Sequence, residues 1–287
     1  MKNNILLVVK GFIMGIANII PGVSGGTLAL ILGIYEEFIS SISNFLKDIK
    51  KNLKFLIPIV IGMGLAIVSL SRVIDYSYQN YPIPTSLFFM GLVIGGIPML
   101  LNKVKKKKEV KEVSSYIIFL LTFALVMVMT CSDFIFGSGL KVSFSNMNVL
   151  SYIVLFIVGV IAAATMVIPG VSGSLVLMLL GYYYPVIKVI KELTKFQNIG
   201  TNILIAGVFG VGVLIGIVLV SKLIEFLFNK YEVKTYFGVL GFIIASVIAI
   251  PLSTLFNIKV TFDIVQILIG IIFLGLGSII SYKLGDK

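Results

Sequence analysis

Two short stretches carry the residues best suited to chemistry: Pro21-Gly22-Val23-Ser24-Gly25-Gly26-Thr27 and Pro169-Gly170-Val171-Ser172-Gly173-Ser174, each set in the middle of a long apolar segment. Proline lacks a backbone donor and glycine accepts turns that other residues resist, so each stretch breaks a helix. A helix restarting at Ser24 or Ser172 presents unpaired N–H groups and the positive end of its dipole. Small residues there let an anionic group come close. The hydroxyls of Ser24, Thr27, Ser172 and Ser174 add donors, so the chemistry on offer is anion binding. A second reading stays open, in which a Gly/Ser hairpin only allows helices to pack closely. Neither stretch ends in Gly-Lys-Ser/Thr, so neither is a nucleotide-binding P-loop.

Charged residues near the apolar segments are the second class of candidate. Arg72 with Asp75 and Lys222 with Glu225 are spaced i,i+3. The cations Arg72 and Lys222 could receive a phosphate; the alternative is an interfacial pair with snorkelling side chains. Glu36 and Glu37 follow a Leu-Gly-x-Tyr run whose later copy continues with Tyr184 and Pro185. Glu36 is therefore a candidate ion-coupling carboxylate, or else an interfacial glutamate. Tyr35 and Tyr183 are expected in an aromatic belt. The chain has no His and a single Cys, Cys131. This excludes an imidazole base, a Cys–His nucleophile, a zinc-ligand set and a disulfide. No catalytic residue, metal ligand or cofactor is assigned.

The elements that position these residues follow from composition. Of 287 residues, 59% are hydrophobic and 12% charged, against about a quarter charged in a soluble domain. Residues 55–71, 113–132, 142–187 and 199–221 carry no charge, and roughly 20 apolar residues cross a bilayer core. The expectation is an all-α polytopic membrane protein forming one transmembrane domain over 1–287. Lys2 precedes an apolar stretch, but no small-x-small cleavage site follows it, so the stretch is read as part of the mature fold.

Residues 11–35 (GFIMGIANIIPGVSGGTLALILGIY) and 159–183 (GVIAAATMVIPGVSGSLVLMLLGYY) match without a gap at 11 of 25 positions. Repeat one covers about 5–101 and repeat two about 149–251, with a joining helix at about 114–131 and a closing helix at about 264–282. Gly11 to Ile20 is half a membrane of helix, which puts Pro21 near the midplane. Residues 5–38 and about 152–188 are thus expected to be re-entrant hairpins, each followed by two spanning helices. Three crossings separate the copies, near 55–76, 85–101 and 114–131, so the repeats are inverted. That architecture holds substrate near the midplane, where the copies meet.

The formal charge of +11 resides mainly in loops. Lys103, Lys105, Lys106, Lys107, Lys108 and Lys111 form a basic loop that should be cytoplasmic. This choice places 17 of 23 basic residues inside, together with both termini, and leaves Arg72, Lys141, Lys188, Lys191, Lys195 and Lys259 outside. The excess serves topology and anionic membrane lipid; no nucleic-acid partner is expected.

Ile-Pro-Gly-Val-Ser-Gly-Gly-Thr-Leu-Ala-Leu-Ile-Leu-Gly-Ile-Tyr-Glu-Glu at 20–37, with Ile-Pro-Gly-Val-Ser-Gly-Ser at 168–174, resembles the bacterial polyprenyl-phosphate transporters of the PopT type, formerly a domain-of-unknown-function membrane family. The resemblance spans essentially the whole chain. It implies recycling of undecaprenyl phosphate, the lipid carrier of cell-wall precursors, across the bacterial cytoplasmic membrane. It also implies that the Pro-Gly-Val-Ser-Gly positions of both copies bind substrate; Arg72, Lys222 and Glu36 rest on physical reasoning alone. Undecaprenyl-pyrophosphate phosphatases are similar in arrangement but carry an arginine and acidic residues around their Pro-Gly-x-Ser segment. Here Gly25-Gly26 and Gly173-Ser174 stand instead, which argues against phosphatase activity. The expected function is a lipid-phosphate flippase, with a proton or sodium gradient as candidate driving force. A transporter of a small soluble anion is the alternative, and a membrane lipid phosphatase is disfavoured.

Overall fold

A computed structural model describes residues 2–19, 24–105, 112–136, 142–144, 147–257 and 263–285, and within them the chain forms twelve helices and no strand. They are α1 (Lys2–Ile19), α2 (Gly25–Ile31), α3 (Tyr35–Ser43), α4 (Ile49–Asn80), α5 (Pro82–Lys105), α6 (Val113–Phe136), α7 (Val149–Val167), α8 (Gly173–Leu179), α9 (Tyr183–Thr194), α10 (Ile199–Lys230), α11 (Glu232–Asn257) and α12 (Ile264–Gly285). Seven of them, α4, α5, α6, α7, α10, α11 and α12, are long and apolar enough to cross a membrane. The chain is a multi-pass membrane protein.

Local sequence explains the helix boundaries. The Asp48 side chain accepts from the Lys51 N–H at 3.0 Å to start α4, and Asn148 with Ser151 forms a capping box at α7. Pro82 opens α5, where a missing N–H is harmless. The Leu-Gly-x-Tyr runs are helix stops. Gly33 (φ 70°) and Gly181 (φ 76°) lie in the left-handed region that glycine adopts without strain. The Ile34 N–H donates to Ala29 O and the Tyr182 N–H to Leu177 O, the 6→1 bond of a Schellman cap. The return arm after each tip is therefore a seven-residue helix of about 10 Å followed by a separate helix.

The long helices pack as close pairs: α1 on α4, α7 on α10, α5 on α12 and α11 on α6. Glycine permits the approach. A Cβ on Gly62 would overlap the Val8 carbonyl, one on Gly212 the Phe156 carbonyl, and one on Gly91 the Leu274 carbonyl. Register rises together along each pair, as where Gly11 faces Ile59 and Gly15 faces Met63 and Ala66. The paired helices thus run parallel. By contrast α5 and α11 run antiparallel. Lys103 near the end of α5 sits over the Tyr236 ring near the start of α11, and the Tyr78 hydroxyl, just before α5, bonds Thr254 near the end of α11 at 2.8 Å.

Candidate functional site

The end of α1 is placed by its packing against α4. Since Gly15 faces Met63 and Ala66, the end at Ile19 lies about one turn further, beside residues 67–70 of α4. Helix α4 then runs on for about ten residues, roughly 15 Å. Helix α2 turns back, and the Lys10 ammonium donates to Leu32 O at its end (2.8 Å). Lys10 thereby serves the C-terminal carbonyls, where a cation is favoured. Pro21, Gly22 and Val23 lie outside the described residues, whereas Ser24 to Thr27 are described and buried.

The second motif meets the first directly. The Gly170 N–H donates to Thr27 Oγ1 at 2.7 Å, buried, and Ser24 Oγ donates to Ile168 O at 3.4 Å. A Cβ on Gly26 would stand 3.0 Å from Val167 O, so the small residue lets the start of α2 lie against the end of α7. Gly170 has φ 82°, and a Cβ on it would lie 2.6 Å from Phe242 O. Close packing accordingly accounts for Gly26 and Gly170.

The serines behave differently from ordinary N-caps. Ser24 and Ser172 occupy the N-cap positions of α2 and α8, but neither side chain makes a capping hydrogen bond. Ser172 and Ser174 share a hydrogen bond at 3.0 Å. Asn18 supplies the cap that Ser24 does not, accepting from the Gly25 N–H at 3.0 Å. Asn18 was missed from the sequence because the equivalent residue of the other copy is Met166, so the repeat gave no signal for it. The two tips also differ in access. All seven residues of α2 are buried, whereas Ser172, Gly173 and Ser174 are half-buried and Val171 is buried.

Arg72 and Lys222 are exposed and lie just beyond the level of the tips on α4 and α10. Among the described residues no hydrogen bond or ion pair joins either to a tip. The expected Lys222–Glu225 pair does not form. Glu225 instead accepts from Ser43 Oγ (2.5 Å) and Asn44 Nδ2 (2.7 Å) at the end of α3, because α3 packs onto α10 on that side of Glu225. The Asp75 side chain is outside the described residues. Glu36 Oε1 accepts from Lys103 Nζ at 2.7 Å and from the Tyr236 hydroxyl, so this carboxylate is tied to α5 and α11 at some distance along the chain from either tip.

Tyr35 departs from its expected place in an aromatic belt. It is 2% exposed, its hydroxyl donates to Val167 O at 3.0 Å, and its ring meets Phe228. A buried tyrosine needs a partner for its hydroxyl, and the free carbonyls at the end of α7 supply one. Tyr183 is half-buried against Tyr184. Among the described residues no group of three or more acidic, Cys or His side chains could hold a metal.

The arrangement is a centre of backbone, hydroxyl and amide groups without a formal charge, built from two helix breaks. Residues 14–267 match the family model VCA0040-like, undecaprenyl phosphate translocase-like. A polyprenyl-phosphate transporter of Staphylococcus aureus (strain NCTC 8325 / PS 47) is 37% identical over 280 residues, covering 97% of this chain and 95% of that protein. One from Vibrio cholerae serotype O1 (strain ATCC 39315 / El Tor Inaba N16961) is 32% identical over 237 residues, covering 78% and 70%. No solved structure matches the chain. The chain belongs to the undecaprenyl phosphate translocase-like family.

Proposed function

We propose that this protein moves polyprenyl phosphate, undecaprenyl phosphate above all, between the leaflets of the bacterial cytoplasmic membrane and so returns the lipid carrier to the inner face. The observation that carries the reading is the meeting of the two motifs through Thr27 and Gly170, in a family whose named relatives are polyprenyl-phosphate transporters. The two hairpins are re-entrant, enter from opposite faces and belong to inverted repeats. The antiparallel course of α5 and α11 supports this, as does the return of α2 to the level of Lys10. Equal spacing adds support: α2 and α8 start 148 residues apart and are seven residues each, while α4 and α10 start 150 apart and are 32 each. Helices α6 and α12 complete the two units, each packing on the other unit's second spanning helix.

The phosphate binds at the hairpin tips, Pro21 to Thr27 and Pro169 to Ser174, and the isoprenoid tail stays in lipid. Backbone N–H groups and hydroxyls at the tips stabilise an anion without a side-chain charge that would be costly at the midplane. Arg72 and Lys222, one to each face, receive the head group as it arrives or leaves. A proton or sodium gradient drives net flux, with Glu36 as the coupling carboxylate; both termini are cytoplasmic. The protein acts as a transporter, not an enzyme.

Purified protein in liposomes should exchange labelled undecaprenyl phosphate between leaflets faster than protein-free liposomes do. Equal rates would overturn the proposal. Phosphate release from undecaprenyl pyrophosphate would point instead to a lipid phosphatase, and uptake of a small anion with a static lipid to a soluble-anion transporter.

A further inference from the structure

Two donors from different helices converge on one oxygen of Glu36. Lys103 Nζ, near the end of α5, donates to Oε1 at 2.7 Å, and the Tyr236 hydroxyl, near the start of α11, donates to the same atom. The three groups are held with unequal firmness. Tyr236 is 3% exposed, and its ring packs edge-on against Phe228 at 5.1 Å. The Lys103 ammonium stands 5.6 Å over the Tyr236 ring, whose face attracts a cation. Glu36 is the looser partner, with 54% of its side chain exposed. Such a carboxylate can turn to water at small cost, because an exposed ion pair contributes little. The Tyr236 hydroxyl, on a buried side chain, then needs another acceptor.

A phosphate monoester suits these donors better than a carboxylate does. It carries about −1.5 to −2 charges at pH 7 and three strong acceptor oxygens, so Lys103 and Tyr236 can each take an oxygen of their own. Nearby ammonium groups are engaged elsewhere: Lys234 with Glu112 at 2.9 Å and Lys10 with Leu32 O at 2.8 Å. The cluster also reaches the second break. Phe228 meets the Tyr35 ring at 6.1 Å, and the Tyr35 hydroxyl donates to Val167 O, two residues before Pro169. Tyr35 immediately precedes Glu36, so a movement of Glu36 pulls on a residue anchored at the end of α7.

We infer that Lys103 and Tyr236 form a second phosphate site, for a phosphate monoester head group, which Glu36 fills until the head group displaces it. The inference rests on the transport reading for the identity of the ligand. It deepens that reading by naming where the head group is held at the end of α5, the face expected to be cytoplasmic. Displacement also frees the carboxylate proposed for coupling only when phosphate is bound.

The test is a fluorescence titration of the purified full chain in detergent. The sequence has no Trp, so Phe228→Trp places a single reporter against the Tyr236 ring. The probes are undecaprenyl phosphate, undecaprenol and inorganic phosphate. In this background Lys103→Gln should weaken undecaprenyl phosphate binding about tenfold and Tyr236→Phe about threefold, while Lys103→Arg, which keeps the charge, should stay near the starting affinity. Glu36→Gln should tighten binding several-fold, since the competing charge is gone. A glutamate that only holds helices together would give no such gain, and misfolding cannot produce one, so this variant decides the question if the Lys103 and Tyr236 variants do not fold. Undecaprenol, which lacks the phosphate, should bind all variants alike. Affinity unmoved in Lys103→Gln, affinity not raised in Glu36→Gln, or a response to inorganic phosphate alone would overturn the site. Should the reporter variant itself not fold, native mass spectrometry of the chain without it supplies the same comparison. Binding is read without lipid movement. A parent that binds undecaprenyl phosphate through Lys103 but exchanges none between leaflets would overturn the transport reading and leave the site standing.

Discussion

Thr27→Val removes the only side-chain oxygen that Thr27 presents to Gly170 while keeping the shape of the side chain. The bond it breaks is 2.7 Å long and buried, and its donor is a backbone N–H. An orphaned buried donor costs about 1–3 kcal/mol, which corresponds to roughly a five- to hundredfold change in the local opening equilibrium. The readout is hydrogen–deuterium exchange at the Gly170 amide, followed in peptides spanning the second motif. Protection should fall by that factor in Thr27→Val and stay near the parent level in Thr27→Ser, which keeps the oxygen. Lipid exchange should fall with it, since the bond joins the two tips. Unchanged protection in Thr27→Val, or equal loss in the valine and serine variants, would refute the reasoning.

Other expectations concern packing, capping and charge. Gly62→Ala puts a methyl group into the Val8 carbonyl and should destabilise by about 1–3 kcal/mol, whereas Gly210→Ala, with open space around its Cβ, should be neutral or stabilising by up to about 1 kcal/mol; thermal melts in detergent compare the two. Asn18→Ala frees the Gly25 N–H and should cost about 1 kcal/mol, while Asn18→Asp keeps an acceptor, so a melt that fails to separate them would count against the cap. Glu112, ahead of α6, accepts from Lys234 Nζ at 2.9 Å and from Ser114, and these bonds hold its carboxyl below the ordinary 4.5. A carboxylate lowered in the folded state stabilises above its unfolded pKa, and that contribution is lost as pH falls through the folded value. An NMR titration of Glu112 should show a midpoint below 4.5 that moves back up in Lys234→Gln.

Much of the architecture was legible because its signals are long-range in sequence. The charge-free runs mark the spanning helices, and the doubled Pro-Gly-Val-Ser-Gly marks the breaks. What periodicity could not show was where each return arm stops. The answer lay in Gly33 and Gly181, whose role as helix stops becomes visible only from the backbone. The partner of Glu225 was equally hidden: an i,i+3 lysine is near in sequence, but the docking of α3 brings Ser43 and Asn44 nearer in space. Tyr35 looked interfacial by its place at the end of an apolar run, yet it is buried because the end of α7 offers it a carbonyl. Asn18 escaped because it has no counterpart in the second copy. Glu36 was singled out for that same asymmetry, and its partners Lys103 and Tyr236 come from helices that sequence spacing does not connect to it.

The central claim is that a phosphate head group passes across the membrane at the two tips. Leaflet exchange of undecaprenyl phosphate in proteoliposomes tests it most directly, comparing the parent with Ser172→Ala/Ser174→Ala at the more open tip and with Arg72→Ala. The account predicts fast exchange by the parent, a loss of about tenfold or more when both hydroxyls are removed, and a smaller loss for Arg72→Ala. Exchange by the tip variant at the parent's rate, with the protein folded, would contradict it.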